Sequence, residues 1–184
     1  TTDAYIYPQR LHTEWSVKDK VAAEVAICGS MSGLRSATDM KGVGLNVAAG
    51  PLQAYTCEGV KGGLVSVVAD DPGLHSSHTG QDNRLLARQA YLPVLEPASP
   101  QEAKDMAAMA FQLSERWGQP VVIKTTTRIS HTRADVILGP LPQAPQATQT
   151  NDTNGQAEAE ADANAPSPGF QHDPRHWVNL PVNA

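Results

Sequence analysis

The chain has 184 residues, with 14 Lys and Arg against 19 Asp and Glu and a net charge of −5, so it carries no basic stripe with which to neutralise a phosphate backbone. That argues against nucleic acid as a main partner. No apolar run reaches membrane-spanning length and no signal peptide is legible at the start, which argues against a membrane span and against secretion. Cys28 and Cys57 lack the spacing of a metal site or a disulfide framework and fit reduced thiols in a cytoplasmic protein. The chain opens on Thr1 rather than Met, as a processed protein or a piece of a longer one would.

The first strong pattern is helical. Val17 to Ala37 is rich in Ala, Gly and Ser, with Val21, Val25 and Leu34 at helical spacing, and its small side chains permit close packing against a neighbouring backbone or subunit. Thr38 to Val43 follows as a short connection or strand. Leu45 to Glu58 is a second helical stretch, interrupted by Gly50-Pro51. Leu64 to Ala69 is an apolar strand, and Gln81 to Ala90 a helix after the polar loop that the strand opens into. Val94-Leu95 is a short strand that stops at Pro97.

Ser99 then caps a helix with Pro100 at its first position and Glu102 three residues after the cap. Met106, Met109, Ala110 and Leu113 share one face of it, and Gly118 ends it after Trp117. Pro120 to Thr126 is the next strand, followed by Arg128-Ile129-Ser130-His131. Strands alternating with helices predict an α/β fold, a parallel sheet with helices on both faces. Residues 139–169 are a Pro-, Ala- and acid-rich linker that includes the run from Gln156 to Asn164 and cannot bury enough surface to offset its ordering entropy. The domain thus takes 1–138, with its packed part at 12–138, and 170–184 leads towards a following domain.

Chemistry concentrates where the strand at Leu64 to Ala69 ends. Asp70-Asp71-Pro72-Gly73 and the polar residues through Arg84 stand at the carboxyl end of a buried parallel strand, the edge at which open α/β sheets bind ligands. An ordinary connection capped by Asp82 is the competing reading. His75 and His78 have no third ligand at suitable spacing, so anchoring of the loop outweighs a shared metal. His131 lies at another strand's end, where it faces the same crevice or simply solvent. Gly42-Val43-Gly44 and Gly59-Val60-Lys61-Gly62-Gly63 match neither a dinucleotide fingerprint nor a phosphate loop and read as tight turns and close packing.

Longer motifs add a family. Glu14-Trp15-Ser16-Val17 with Lys20-Val21-Ala22, Met40-Lys41 with Val43-Gly44-Leu45-Asn46-Val47-Ala48, Gly59 to Val65, Val68 to Gly73, His75-Ser76-Ser77, Gln81-Asp82-Asn83-Arg84, Leu95-Glu96-Pro97, Pro100 to Met106 and Thr125 to His131 occur in one order. Together they resemble the pyrimidine-binding domain of the large subunit of indolepyruvate:ferredoxin oxidoreductase and related aryl 2-oxoacid oxidoreductases. Phe170 to Pro181 resembles that family's link to its next domain.

The resemblance implies a thiamine-diphosphate enzyme that oxidatively decarboxylates an aryl 2-oxoacid to its acyl-CoA and passes electrons through iron–sulfur clusters to ferredoxin. This domain would cover the aminopyrimidine ring while a partner domain holds the diphosphate and Mg²⁺. The clusters and the CoA site would lie elsewhere in the complex, since the chain lacks the cysteine runs that clusters need. The resemblance places Asp19 at the position of the glutamate that hydrogen-bonds the ring, and Met40, Lys41, Gly42, Asn46, His75 and Ser76 around the cofactor.

Four departures accompany it. Asp19 replaces a glutamate, Gly42 a histidine, Gly50 an aspartate, and His78-Thr79-Gly80 a Gln-Asn-Glu sequence. The family's opening strand and its Tyr-Pro-Gly-Thr-Pro-like turn have no counterpart ahead of Glu14. Two further readings follow: a non-catalytic structural module of such a complex, and, less well matched by the motifs, a non-oxidative thiamine-diphosphate decarboxylase.

Overall fold

Strand-forming runs pair side by side in a parallel sheet, described here from a computed structural model over residues 12–139. The strands are β1 (Ser36–Lys41), β2 (Leu64–Asp70), β3 (Val94–Leu95) and β4 (Val121–Thr126), in the spatial order β1-β2-β4-β3. The helices are α1 (Asp19–Met31), α2 (Gly42–Glu58), α3 (Asn83–Gln89), α4 (Pro100–Trp117) and the short α5 (Thr127–His131). The expected α/β class with a parallel sheet is what the chain adopts. The linker at 139–169, apart from Gly139, and the segment 170–184 lie outside the described residues.

The topology explains which face each helix takes. Passing through α2 and then α3, the chain moves from β1 to β2 and on to β3, both steps in one lateral direction; α4 brings it back to insert β4. With crossovers of one hand, that reversal places α4 on the opposite face. The core divides accordingly. Ala23, Ile27, Leu45, Ala48, Leu52 and Ala87 pack with Met40, Leu64, Val68 and Val122 on one face, while Ala110, Phe111 and Leu113 of α4 pack with Val65, Val121 and Ile123 on the other.

The strongest local signals hold. Ser99 Oγ accepts the Glu102 N–H at 3.2 Å, and the Glu102 carboxylate returns to the N–H of Ala98, 2.7 Å away, one residue before the cap. Gly118, in the left-handed conformation at φ +62°, ends α4.

Several details differ from expectation. The helix expected to run to Ala37 stops at Met31, because Gly33 turns the chain at φ +89° and Ser36 then donates to Gly63 O at 2.8 Å, entering the sheet beside Leu64. Cross-strand pairing overrides the helix propensity of Ser-Ala. The buried face of α1 is made of Ala23, Ala26 and Ser30 with one large side chain, Ile27, whereas Val25 and Leu34 are exposed. Gly50-Pro51 does not interrupt α2: Pro51 leaves the Val47 carbonyl without its intrahelical donor, but Val47 is on the exposed side, and Leu45, Ala48 and Leu52 hold the helix to the core. Met109 lies off the buried face of α4, which instead carries Ala110 and Ser114.

Candidate active site

The sheet register brings the carboxyl ends of three strands level. Lys41 of β1 lies beside Ala69 of β2, Ala69 beside Thr125 of β4, and Asp70 beside Thr126. Polar side chains leaving these ends therefore meet one another, and the two carboxylates after the apolar run of β2 go to different tasks.

Asp71, buried, organises the loop. It accepts the Ser76 N–H at 2.6 Å, the Thr127 hydroxyl at 2.8 Å and, at 3.0 Å, stands against His75 Nδ1. The Ser76 N–H first, then the His75 N–H and the Thr127 and His75 side chains, hold its carboxyl well below the usual carboxylate range against the opposing effect of burial. Lys41 Nζ closes the same loop by donating to Ser76 O at 3.1 Å. His75 thus has the anchoring role expected of it.

Asp70, fully buried, binds the first residue of α3 and packs against Gly42 at the start of α2. It accepts the Asn83 backbone N–H at 3.0 Å and the Asn83 side-chain amide at 2.8 Å. The same amide nitrogen donates to Gly42 O at 3.1 Å, and Gln81 Nε2 donates to that oxygen at 2.7 Å. Asn46, one turn further along α2, donates to Gln81 Oε1 at 2.7 Å.

Gly42 has no room for a side chain: a Cβ there would stand 2.6 Å from Asp70 Oδ1 and 2.9 Å from Asn83 Nδ2. Gly44 is hemmed in on its other side. A Cβ built on it would lie 2.5 Å from Asp19 Oδ1 and 2.6 Å from Asp19 Cγ. The Gly42-Val43-Gly44 motif, read from sequence as close packing, is therefore a double contact, with the Asp70–Asn83 pair on one glycine and the Asp19 carboxyl on the other.

Lys124 is the residue that sequence reasoning missed. It is 1% exposed on β4 and donates to Glu96 Oε1 at 2.9 Å, with Asp70 Oδ2 at 3.7 Å and Asp82 Oδ1 at 3.9 Å. Asp82 caps α3 through the Arg84 N–H and also binds the Arg84 side chain, which holds its carboxyl below the usual range. The signal was present: a lysine directly after Val121-Val122-Ile123 in a buried strand must find carboxylates.

Of the residues named from sequence, Lys41, Gly42, Asn46, His75 and Ser76 do gather at the loop and the start of α2, and Asp19 joins them through Gly44. Met40 does not, since its side chain is buried among Leu64, Val68 and Ala23 in the core.

The family model for pyruvate flavodoxin/ferredoxin oxidoreductase, thiamine-diphosphate-binding, matches residues 16–179. The chain belongs to this family. Similar curated proteins include the indolepyruvate oxidoreductase subunit IorA of Pyrococcus abyssi, 46% identical over 168 residues, which cover 91% of this chain and 26% of that protein. The subunit of the same name from Pyrococcus horikoshii is 53% identical over 133 residues, 72% of this chain and 20% of the relative. That of Thermococcus kodakarensis is 42% identical over 174 residues, 95% of this chain and 25% of the relative. The chain thus spans about a quarter of the length of these relatives.

The resemblance puts Asp19 against the cofactor's ring; in the structure this carboxyl is partly exposed and takes up the room that a side chain on Gly44 would fill at the start of α2. For the diphosphate half, no group of three or more His, Cys, Asp or Glu side chains is placed to hold a metal ion among the described residues. No described helix is long and apolar enough to cross a membrane. Cys28 and Cys57 are free and exposed.

Proposed function

We propose that this chain is the aminopyrimidine-covering domain of a cytoplasmic 2-oxoacid:ferredoxin oxidoreductase acting on an indolepyruvate-like aryl 2-oxoacid. When bound, thiamine diphosphate supplies the nucleophilic carbon and the electron sink for decarboxylation. The oxoacid loses CO₂, its acyl carbon passes to the thiol of CoA, and a pair of electrons leaves through iron–sulfur clusters to ferredoxin. The diphosphate and Mg²⁺, the clusters and the CoA site belong to other domains or subunits in this reading.

Asp19 is the residue of this chain that acts on the cofactor, by exchanging a proton with a ring nitrogen. The observation that carries the reading is its carboxyl, lying against Gly44 at the start of α2 in a chain of this family. Asp is one methylene shorter than Glu, and the absence of a side chain on Gly44 lets the carboxyl and the helix approach closely. Lys41, Asn46, His75 and Ser76 shape the rim through the loop contacts described above, and Gly42 does so through its backbone.

One observation favours a second reading, a non-catalytic module of the same complex. Gly42 is filled in by Asp70 and Asn83, so the position where the resemblance places a histidine is committed to packing.

Isolation of the native chain with whatever co-purifies separates the two. The catalytic reading expects partner subunits with iron–sulfur absorption and CoA-dependent turnover of an arylpyruvate that needs this chain's Asp19. Turnover unaffected by Asp19→Ala supports the non-catalytic module, and an assembly without iron–sulfur absorption contradicts both.

A further inference from the structure

Beyond the acid itself, the fold contains a relay of buried contacts that ends on it. Lys124, fully buried, lies 3.7 Å from Asp70. Asp70 uses both carboxylate oxygens on Asn83, one for its backbone N–H and one for its side-chain amide. The Asn83 amide also donates to Gly42 O, which accepts a second bond from Gln81. Two residues further along the same helical turn, Gly44 meets the Asp19 carboxyl.

A carbonyl in the first turn of a helix is ordinarily satisfied by the N–H four residues on. Two additional side-chain donors on Gly42 O are therefore not required by helix formation; they fix where the helix begins. Because Gly42 is in contact with Asp70 and Asn83, the first turn of α2 cannot slide towards them, and because Gly44 touches Asp19 it cannot slide away without releasing the acid.

We propose that Asn83 is a positioning residue: it clamps the first turn of α2 through Gly42 O and so sets the place of Asp19, with Gln81 as a second donor and Lys124 holding Asp70 as the anchor. The inference rests on the role of Asp19 in the proposed function. Asn83 touches neither substrate nor cofactor in this account.

Asn83→Asp is the sharpest test, because it preserves volume while replacing the amide donor with an acceptor facing both Gly42 O and Asp70. In the complete oxidoreductase assembly, its kcat should fall between about ten- and a hundredfold, the loss expected when a catalytic group is displaced by roughly an ångström. The KM for the 2-oxoacid should stay within about twofold. In the assembly free of thiamine diphosphate, the amides of Asn46 and Val47, whose intrahelical acceptors are Gly42 and Val43, should exchange with solvent about tenfold faster.

If Asn83→Asp does not assemble, Gln81→Leu removes one of the two donors at a half-buried position and should show the same split to a smaller extent. Normal kcat and normal exchange in whichever variant assembles overturn the inference, as does a rise in KM with kcat intact. Asp19→Ala, measured alongside, keeps the two ideas distinct. If turnover survives that change the proposed function falls, and the exchange rates at Asn46 and Val47 alone decide whether the clamp exists.

Discussion

Asp19 and Gly44 are in direct contact, the carboxyl of the first residue of α1 lying where a Cβ on the third residue of α2 would be, 2.5 Å from Oδ1. Two helix starts are thereby joined at the point where this family's chemistry is expected. Gly44→Ala removes the arrangement with a single methyl group. Overpacking costs on the order of 1–3 kcal/mol and the gain in helix propensity returns about 1, so the thermal midpoint should move by only a few degrees. The kcat of the assembled enzyme should fall at least about tenfold, because the added methyl displaces Asp19.

Asp71 should make the loop acid-sensitive in a defined direction. Its folded-state pKa is depressed by the Ser76 N–H and the other donors, so its contribution is fully present above the unfolded value of about 3.9 and is lost as pH falls towards the folded value. Asp71→Asn should therefore lower the thermal midpoint clearly at pH 7 and by less at pH 3. An equal drop at both pH values would mean that the ionised form is not what the loop stabilises.

Lys124 ties β4 to the end of β3 and to both ends of the loop. Lys124→Met leaves Asp70 buried without its cation and frees Glu96, and should cost about 3–5 kcal/mol in urea denaturation, as loss of one partner from a buried pair does. Adding Asp70→Asn to that variant should recover part of the loss.

Ser99→Ala tests the best sequence signal in the chain. Loss of the Oγ acceptor for the Glu102 N–H should cost about 1 kcal/mol, with no change in turnover because α4 packs on the face opposite α1 and α2.

Local chemistry was legible in the sequence, and proximity was not. β2, the capped α4 and the polar loop could be read from an apolar run, a Ser-Pro-x-Glu pattern and a cluster of turn residues, since each signal is complete within a few positions. The end of α1 could not, because Ser36 and Ala37 join the sheet only through pairing with Leu64 and Val65. The double contact at Gly42 and Gly44 involves Asp19, Asp70 and Asn83, each far along the chain from the glycine it meets, as Asn83 is from Gly42, 41 residues apart. The same separation hid the partners of Lys124, which come from β2, the residue after β3 and the cap of α3. Met40 was drawn into the predicted site by its neighbours in the motif, although strand alternation turns its side chain into the core.

The most direct measurement of the central claim is thiamine-diphosphate-dependent turnover of an arylpyruvate by the assembled enzyme carrying Asp19→Ala. The account predicts a loss of at least about a hundredfold in kcat, the range of a missing general acid–base group, with the far-ultraviolet spectrum and subunit composition unchanged and partial return of activity in Asp19→Glu. Turnover equal to that of the unaltered assembly would contradict it.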